Sequence, residues 1–236
     1  MNARVVSSLL ALGLATLSSS AFALPGVDVG VGLVGIGGAA FITKASDSGV
    51  GSDLYPGFGG ARVGIGANLE LRVLGFLGIE AGFVRSNDKG KGDIDVNGYS
   101  VSAELGQTAT HLPVLVKLVL PLPFFKPFIG AGIDFVTPGD CSSSFSGGGV
   151  TTPTVCHNAS YSMWTGAVGA ELALPIPGLD LRIPLSLRYS RHRDFGDSIT
   201  ERASFVVDRT GIVNKIDFRS EWQHEVYATA GVSLFF

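Results

Sequence analysis

Between Ala61 and Val73 every odd position is apolar (Ala61, Val63, Ile65, Ala67, Leu69, Leu71, Val73), while the even positions are Arg62, Gly64, Gly66, Asn68, Glu70 and Arg72. A period of two puts successive side chains on opposite faces of an extended strand, so this segment predicts a strand with one greasy face and one charged face. The alternation recurs. Leu77, Ile79, Ala81 and Phe83 oppose Gly78, Glu80 and Gly82; Leu112, Val114, Val116, Leu118 and Leu120 oppose His111, Leu115 and Lys117. Ile129, Ala131, Ile133 and Phe135 oppose Gly130, Gly132 and Asp134; Trp164, Val168, Ala170, Leu172 and Leu174 oppose Thr165, Gly169 and Glu171. Leu181, Ile183, Leu185, Leu187 and Tyr189 oppose Arg182, Ser186, Arg188 and Ser190; Val226, Ala228, Ala230, Val232, Leu234 and Phe236 oppose Glu225, Tyr227, Thr229, Gly231 and Ser233. With a Gly-rich first strand, about Val27 to Thr43, whose phase is less defined, the count is eight.

Composition narrows the class. Charged residues make up only 16% of the chain, against about 25% in soluble domains, and 33 residues are Gly. Lys and Arg total 17 against 20 Asp and Glu, so there is no basic excess for a polyanion and nucleic acid is not expected as a partner. A hydrophobic share of 46% excludes disorder.

The first 23 residues read as a secretory signal, 1–23, and are set aside. Arg4 supplies the positive start, Val5 to Leu17 the apolar stretch and Ala21-Phe22-Ala23 the small-x-small cleavage pattern. The apolar stretch is shorter than the ~20 residues that a membrane-crossing helix needs. The remaining chain, 24–236, is expected to form one exported domain.

Eight strands of roughly 10 residues with opposed faces suit a soluble sandwich or a transmembrane barrel, and the connections decide. Those after strands two, four and six are tight: Leu74-Gly75, Pro121 to Phe125 and Pro175 to Gly178. Those after strands one, three, five and seven are long and polar: about Ala45 to Pro56, Ser86 to Gln107, Thr137 to Ala159 and Phe195 to Gln223. All turns thus fall at one end, the layout of a bacterial outer-membrane barrel. Aromatics near the strand ends predict interfacial girdles, with Phe76, Phe124, Phe125, Phe128 and Phe236 at the turn end and Phe58, Phe135, Tyr161, Trp164, Tyr189 and Trp222 near the loop end.

Two stretches carry a family likeness. His111-Leu112-Pro113 followed by Lys126-Pro127-Phe128-Ile129-Gly130-Ala131-Gly132-Ile133 resembles the strand-turn-strand hairpin of the small outer-membrane β-barrel superfamily that includes the OmpA, OmpX and OmpW barrels. The end of the chain, Ala230-Gly231-Val232-Ser233-Leu234-Phe235-Phe236, resembles the terminal sorting signal of that superfamily, with Val232, Leu234 and Phe236 as its alternating apolar positions. The resemblance implies an all-β, eight-stranded antiparallel up-and-down transmembrane barrel in the bacterial outer membrane. It also implies the barrel assembly machinery, outer-membrane lipid and lipopolysaccharide as partners.

By parity the inward face carries Arg62, Arg72, Lys117, Arg182 and Arg188 against Glu70, Glu80, Asp134, Glu171 and Glu225. An eight-stranded barrel is just wide enough for side chains to fill. Balanced charges there predict a paired plug, since an unpaired buried charge costs several kcal/mol. A narrow conduit for small apolar molecules, as proposed for OmpW-type barrels, is the alternative that the likeness implies.

Other chemical signals are weaker. Gly30-Val31-Gly32-Leu33-Val34-Gly35 matches a dinucleotide fingerprint but lies in a strand with no helix behind it, so no cofactor is expected. Ser190, His192 and Asp194 share one face of strand seven, and lipid A-modifying enzymes on barrels use such residues. Neighbours two apart on a strand sit about 6.7 Å from each other, which favours a solvated polar rim over catalysis. His111, His157 and His224 lack metal-ligand spacing, so no metal is expected. Cys141 and Cys156 share the third long loop, and an oxidising compartment predicts a disulfide between them. In the last loop Phe205 and Val207 keep the phase of strand seven. Ile212, Ile216, Phe218 and Trp222 keep that of strand eight, with a turn at Asp208-Arg209-Thr210-Gly211. A hairpin projecting past the membrane is expected there, offering strands to a surface protein partner. The sequence thus predicts a non-catalytic barrel with a structural or cell-surface role; a narrow channel and a lipid A-modifying enzyme are the alternatives.

Overall fold

The computed structural model describes residues 26–42, 58–96, 99–147, 150–157, 159–195, 203–207, 213–219 and 221–236. The expected export signal at 1–23, the 45–56 connection, Ile212 and the Asp208 to Gly211 turn lie outside these residues, as do the side chains of Phe58, Cys156, His157, Phe205, Val207, Ile216 and Phe218.

Eight long strands form the barrel: β1 (Val27–Ile42), β2 (Phe58–Val73), β3 (Leu77–Val96), β4 (Tyr99–Val119), β5 (Phe125–Gly147), β7 (Tyr161–Ile176), β8 (Leu179–His192) and β11 (His224–Phe235). Three short ones, β6 (Val150–His157), β9 (Ala203–Val207) and β10 (Val213–Arg219), lie in the connections. Every neighbouring pair of long strands is antiparallel, and the ring closes where β1 pairs with β11. Closure leaves no barrel edge with unpaired backbone, the condition for a sheet in hydrocarbon.

The turns suit their residues. Leu74 and Gly75 both take positive φ, 54° and 72°, within the three-residue connection Leu74 to Phe76 that joins the paired ends Val73 and Leu77. At Pro177-Gly178 the Pro presets φ and Gly178 accepts +76°, so only two residues separate β7 from β8. β1, ill-defined by its glycines, takes the even-inward phase: Ile36, Ala40 and Ile42 are buried and Leu33 faces out. Gly30 stands beside the Phe235 ring, where an added Cβ would come within 2.6 Å of it, so this glycine makes room for an aromatic inside the barrel.

The outward face is an apolar belt, with Ile65 at 77% exposure and Leu69, Ile79, Phe83, Val116, Ile129, Val168, Leu187 and Val232 also exposed. Aromatics rim it: Phe76, Phe124, Phe125 and Phe236 at the turn end, Phe135, Trp164 and Tyr189 at the loop end. Three residues expected in the girdle are not there. Phe128 is buried inside and Tyr161 packs in the interior cluster with Val136 and Met163, because each carries the inward parity of its strand, while Trp222 precedes β11 and is buried against Ala40, Ile42 and Leu105.

The strands are also longer than the roughly 10 residues expected, running to 23 in β5. The expected loop Ser86 to Gln107 is a ribbon, with β3 and β4 paired out to Val96 and Tyr99, and much of Thr137 to Ala159 is β5 and β6. Past Phe83 the outward positions of β3 turn polar (Arg85, Asn87, Lys89, Lys91), which marks where lipid ends. From Arg85 to Val96 the ribbon continues for roughly 40 Å at about 3.3 Å per residue. On it Lys91 donates to Glu104 across the pair, which holds the ammonium above its ordinary pKa. The last connection does hold a hairpin, β9 with β10, but β10 pairs in parallel with β6 instead of extending β8 and β11.

Replacing Ile65 by Arg in the middle of the belt is expected to destabilise the barrel by about 2–4 kcal/mol in lipid vesicles. Asn87→Arg, on the same outward face but above the belt, is expected to change stability little; urea titration of both variants checks the boundary.

Candidate functional site in the barrel interior

Even positions of β2, β3, β8 and the β5 segment around Asp134, and odd positions of β4, β7 and β11, point into the ring. There Arg62, Glu70, Arg72, Glu80, Lys117, Asp134, Glu171, Arg182, Arg188 and Glu225 are each at most 8% exposed. They form two groups.

The group nearer the turns centres on Glu171. Arg72 donates from Nη1 to Glu171 Oε2 at 3.0 Å and from Nε to Glu70 Oε1 at 2.9 Å. Lys117 Nζ reaches Glu70 at 2.6 Å, Glu80 at 3.2 Å and Glu171 at 3.3 Å, and so spends its three protons on three carboxylates. Arg188 donates to Glu80 at 2.7 Å; Arg182 bridges Glu171 at 3.3 Å and Asp180, its Nε meeting Asp180 Oδ1 at 2.8 Å. Beneath the charges lie aromatic faces: the guanidinium carbons of Arg182 and Arg72 are 3.7 and 4.9 Å from the Phe235 centroid, and Lys117 Nζ is 4.3 Å from that of Phe128. Cation–π contacts gain strength where water is excluded. Asp180, Phe128 and Phe235 are members that sequence reasoning missed, although the parity that places Phe236 outside places Phe235 inside.

The second group lies toward the loops. Arg62 contacts His111 Nε2 and Glu225, sits 3.6 Å from Asp88 and lies over the Tyr227 ring at 5.2 Å. His111 Nδ1 is 2.8 Å from Asp134 Oδ2, and Ser86 Oγ is 3.3 Å from its Nε2. His111, which shows no metal-ligand spacing in the sequence, therefore stands among charged partners from other strands. One ring nitrogen of His111 and one oxygen each from Asp134 and Glu225 lie within 4.8 Å of one another. They come from β4, β5 and β11, so no spacing in the chain announces them.

Between the groups is a cavity of about 20 Å³ lined by Asn68, Glu80, His111, Arg188 and Tyr227 among others. That is room for roughly one water. At the loop end Trp222, Leu105, Ala40 and Ile42 cluster over the lumen, and Tyr161 stacks on His192 with ring centroids 4.9 Å apart.

Ser190 and His192 are buried, which corrects the solvated rim expected there. They do not meet each other: Ser190 Oγ pairs with Thr165 Oγ1 at 2.8 Å, and His192 Nδ1 accepts the Asp194 backbone N–H at 3.0 Å. His224 sits at the outer rim against Phe41 and Tyr189. Cys141 is on β5 and Cys156 on β6. At the chain's end Val232 and Phe236 are exposed to the outside.

A family model described as "Outer membrane protein beta-barrel domain" matches residues 7–207. No curated protein matches the sequence. Among solved structures the chain is similar to Neisserial surface protein A, NspA, at 11% identity and TM-score 0.42, over 87% of this chain and 96% of that one. It is similar to Ail, the attachment invasion locus protein of Yersinia pestis, in complex with the heparin analogue sucrose octasulfate, at 9% identity and TM-score 0.42, over 89% and 99%. It is also similar to OprG of Pseudomonas aeruginosa, at 12% identity and TM-score 0.41, over 89% and 96%.

Removing one partner from the group around Glu171 leaves a buried charge uncompensated. Glu171→Gln and Arg72→Gln are each expected to lose about 3–5 kcal/mol in urea unfolding from vesicles. Losses below about 1 kcal/mol for both would mean that water reaches the survivors.

Proposed function

The chain belongs to the outer membrane protein beta-barrel domain family, and on that premise we propose that it is a non-catalytic barrel whose lumen is plugged and whose work is done at the cell surface. It resides in the bacterial outer membrane. The observation that carries the reading is the interior itself. Cations and carboxylates interlock across the ring above two aromatic faces, and the cavity beside them holds about one water. A pore for solutes needs a continuous wet path, and ion pairs of this density leave no width for one. The separation of Ser190 from His192 likewise supports a role without catalysis, since a nucleophile needs its base within hydrogen-bond reach.

The surface role is supported by how much ordered strand stands beyond the apolar belt. The β3–β4 ribbon rises on one side, and the order β5-β6-β10-β9 ends in β9. An edge strand presents backbone donors and acceptors to a protein partner of extended conformation. Within this reading the segment 1–23 is the export signal, Val232, Leu234 and Phe236 are the assembly signal read by the barrel assembly machinery, and lipid with lipopolysaccharide covers the belt. Cys141 and Cys156 are read as a disulfide. The β5–β6 register pairs Ser144 with Pro153, and carried three residues further it sets Cys141 opposite Cys156; no free cysteine is found among the described residues. Directly opposed strand residues lie at the separation a disulfide spans.

In planar bilayers the purified barrel is expected to show no step conductance, while an unboiled sample still migrates as a folded species in SDS. Regular conductance steps from such a folded sample would favour the narrow channel instead. Reduction, or Cys141→Ser, is expected to cost about 3 kcal/mol of stability, as for any closed loop of this length; an unchanged unfolding midpoint on reduction would refute the disulfide.

A further inference from the structure

The interior charges divide unevenly. Around Glu171 four carboxylates (Glu70, Glu80, Glu171, Asp180) face four cations (Arg72, Lys117, Arg182, Arg188). Toward the loops three carboxylates, Asp88, Asp134 and Glu225, share one guanidinium, that of Arg62. His111 stands between a donor and an acceptor, with Arg62 at its Nε2 and Asp134 Oδ2 at 2.8 Å from its Nδ1. The group thus gathers more carboxylates than cations in a buried place. Asp134 Oδ1 and both oxygens of Asp88 and of Glu225 are buried without a hydrogen-bond partner, Arg62 meeting Asp88 and Glu225 only as ion pairs through Nε and Nη1.

We propose that His111, Asp134 and Glu225 form a lumenal site for one divalent cation of the zinc type. The ligand atoms are already gathered within 4.8 Å, on three strands of a closed sheet that cannot drift apart. Tetrahedral zinc bonds of about 2.0–2.2 Å set neighbouring ligand atoms about 3.4 Å apart, so the His111 Nδ1 to Asp134 Oδ2 pair, 2.8 Å apart as a hydrogen bond, opens by about half an ångström to admit the ion. With the ion on Nδ1 the ring carries its proton on Nε2 and donates it in a hydrogen bond to Ser86 Oγ, 3.3 Å away, which fixes the ring, while Arg62 releases His111 and keeps Asp88 and Glu225. The charge of the cation offsets the surplus of carboxylates. An imidazole among carboxylates selects zinc over calcium, which takes oxygen alone.

The test is to refold the untagged chain into detergent micelles with excess Zn²⁺ or Ca²⁺, dialyse, confirm folding by heat-modifiable migration, and measure metal by mass spectrometry. About one zinc per barrel and no calcium are expected, with the same result for His224→Ala. Asp134→Asn and Glu225→Gln keep the shape and remove the charge, and each is expected to lower retained zinc at least tenfold. X-ray absorption of the loaded wild-type barrel is expected to show one imidazole among oxygen ligands, and decides the matter alone if the variants do not fold. Wild-type barrels that come through dialysis without zinc, variants that retain as much as the wild type, or a spectrum with no imidazole or several would overturn the site and leave the excess charge to protons.

Discussion

Hydrocarbon offers no hydrogen bonds, and most of this molecule follows from that. Every backbone group in the belt must find its partner in a neighbouring strand, so the sheet closes through β1 and β11. Closing with eight strands leaves an interior the width of a few side chains. Once the outward positions are committed to Ile65, Leu69 and their like, polar residues have only the inside left, where they must satisfy one another. The Arg72, Lys117 and Glu171 lattice is therefore less an addition to the barrel than the other half of its lipid-facing surface.

The same period-two code explains what was legible in the sequence and what was not. Strand number, the tight turns and the sides taken by Arg62, Glu70 and Arg72 follow from alternation, because lipid on one side and charge on the other make opposite demands. The code fails where those demands cease. Above Phe83 the outward residues are Arg85, Asn87 and Lys89, both faces are polar, and a continuing strand reads as a loop. In Cys141 to Gly147 serine and glycine erase the pattern in the same way, although β5 runs on.

Distance around the ring is the second thing a one-dimensional reading lacks. Parity assigns His111, Asp134 and Glu225 to the interior one by one, yet their meeting depends on strand register and on the width of the barrel. The Ser190 and His192 pair errs in the opposite direction. They are neighbours in sequence on one face, but the bond Ser190 makes is sideways to Thr165, since cross-strand partners lie nearer than residues two apart on one strand.

The parallel pairing of β10 with β6 has a mechanical meaning. β10 belongs to the connection between β8 and β11, and β6 to the one between β5 and β7, so the ladder joins two connections across the top of β7. A pull applied to β9 is handed through β10 to β6 and so reaches β5 as well as the strands at either end of its own connection. Force on these connections is shared by distant staves of the barrel.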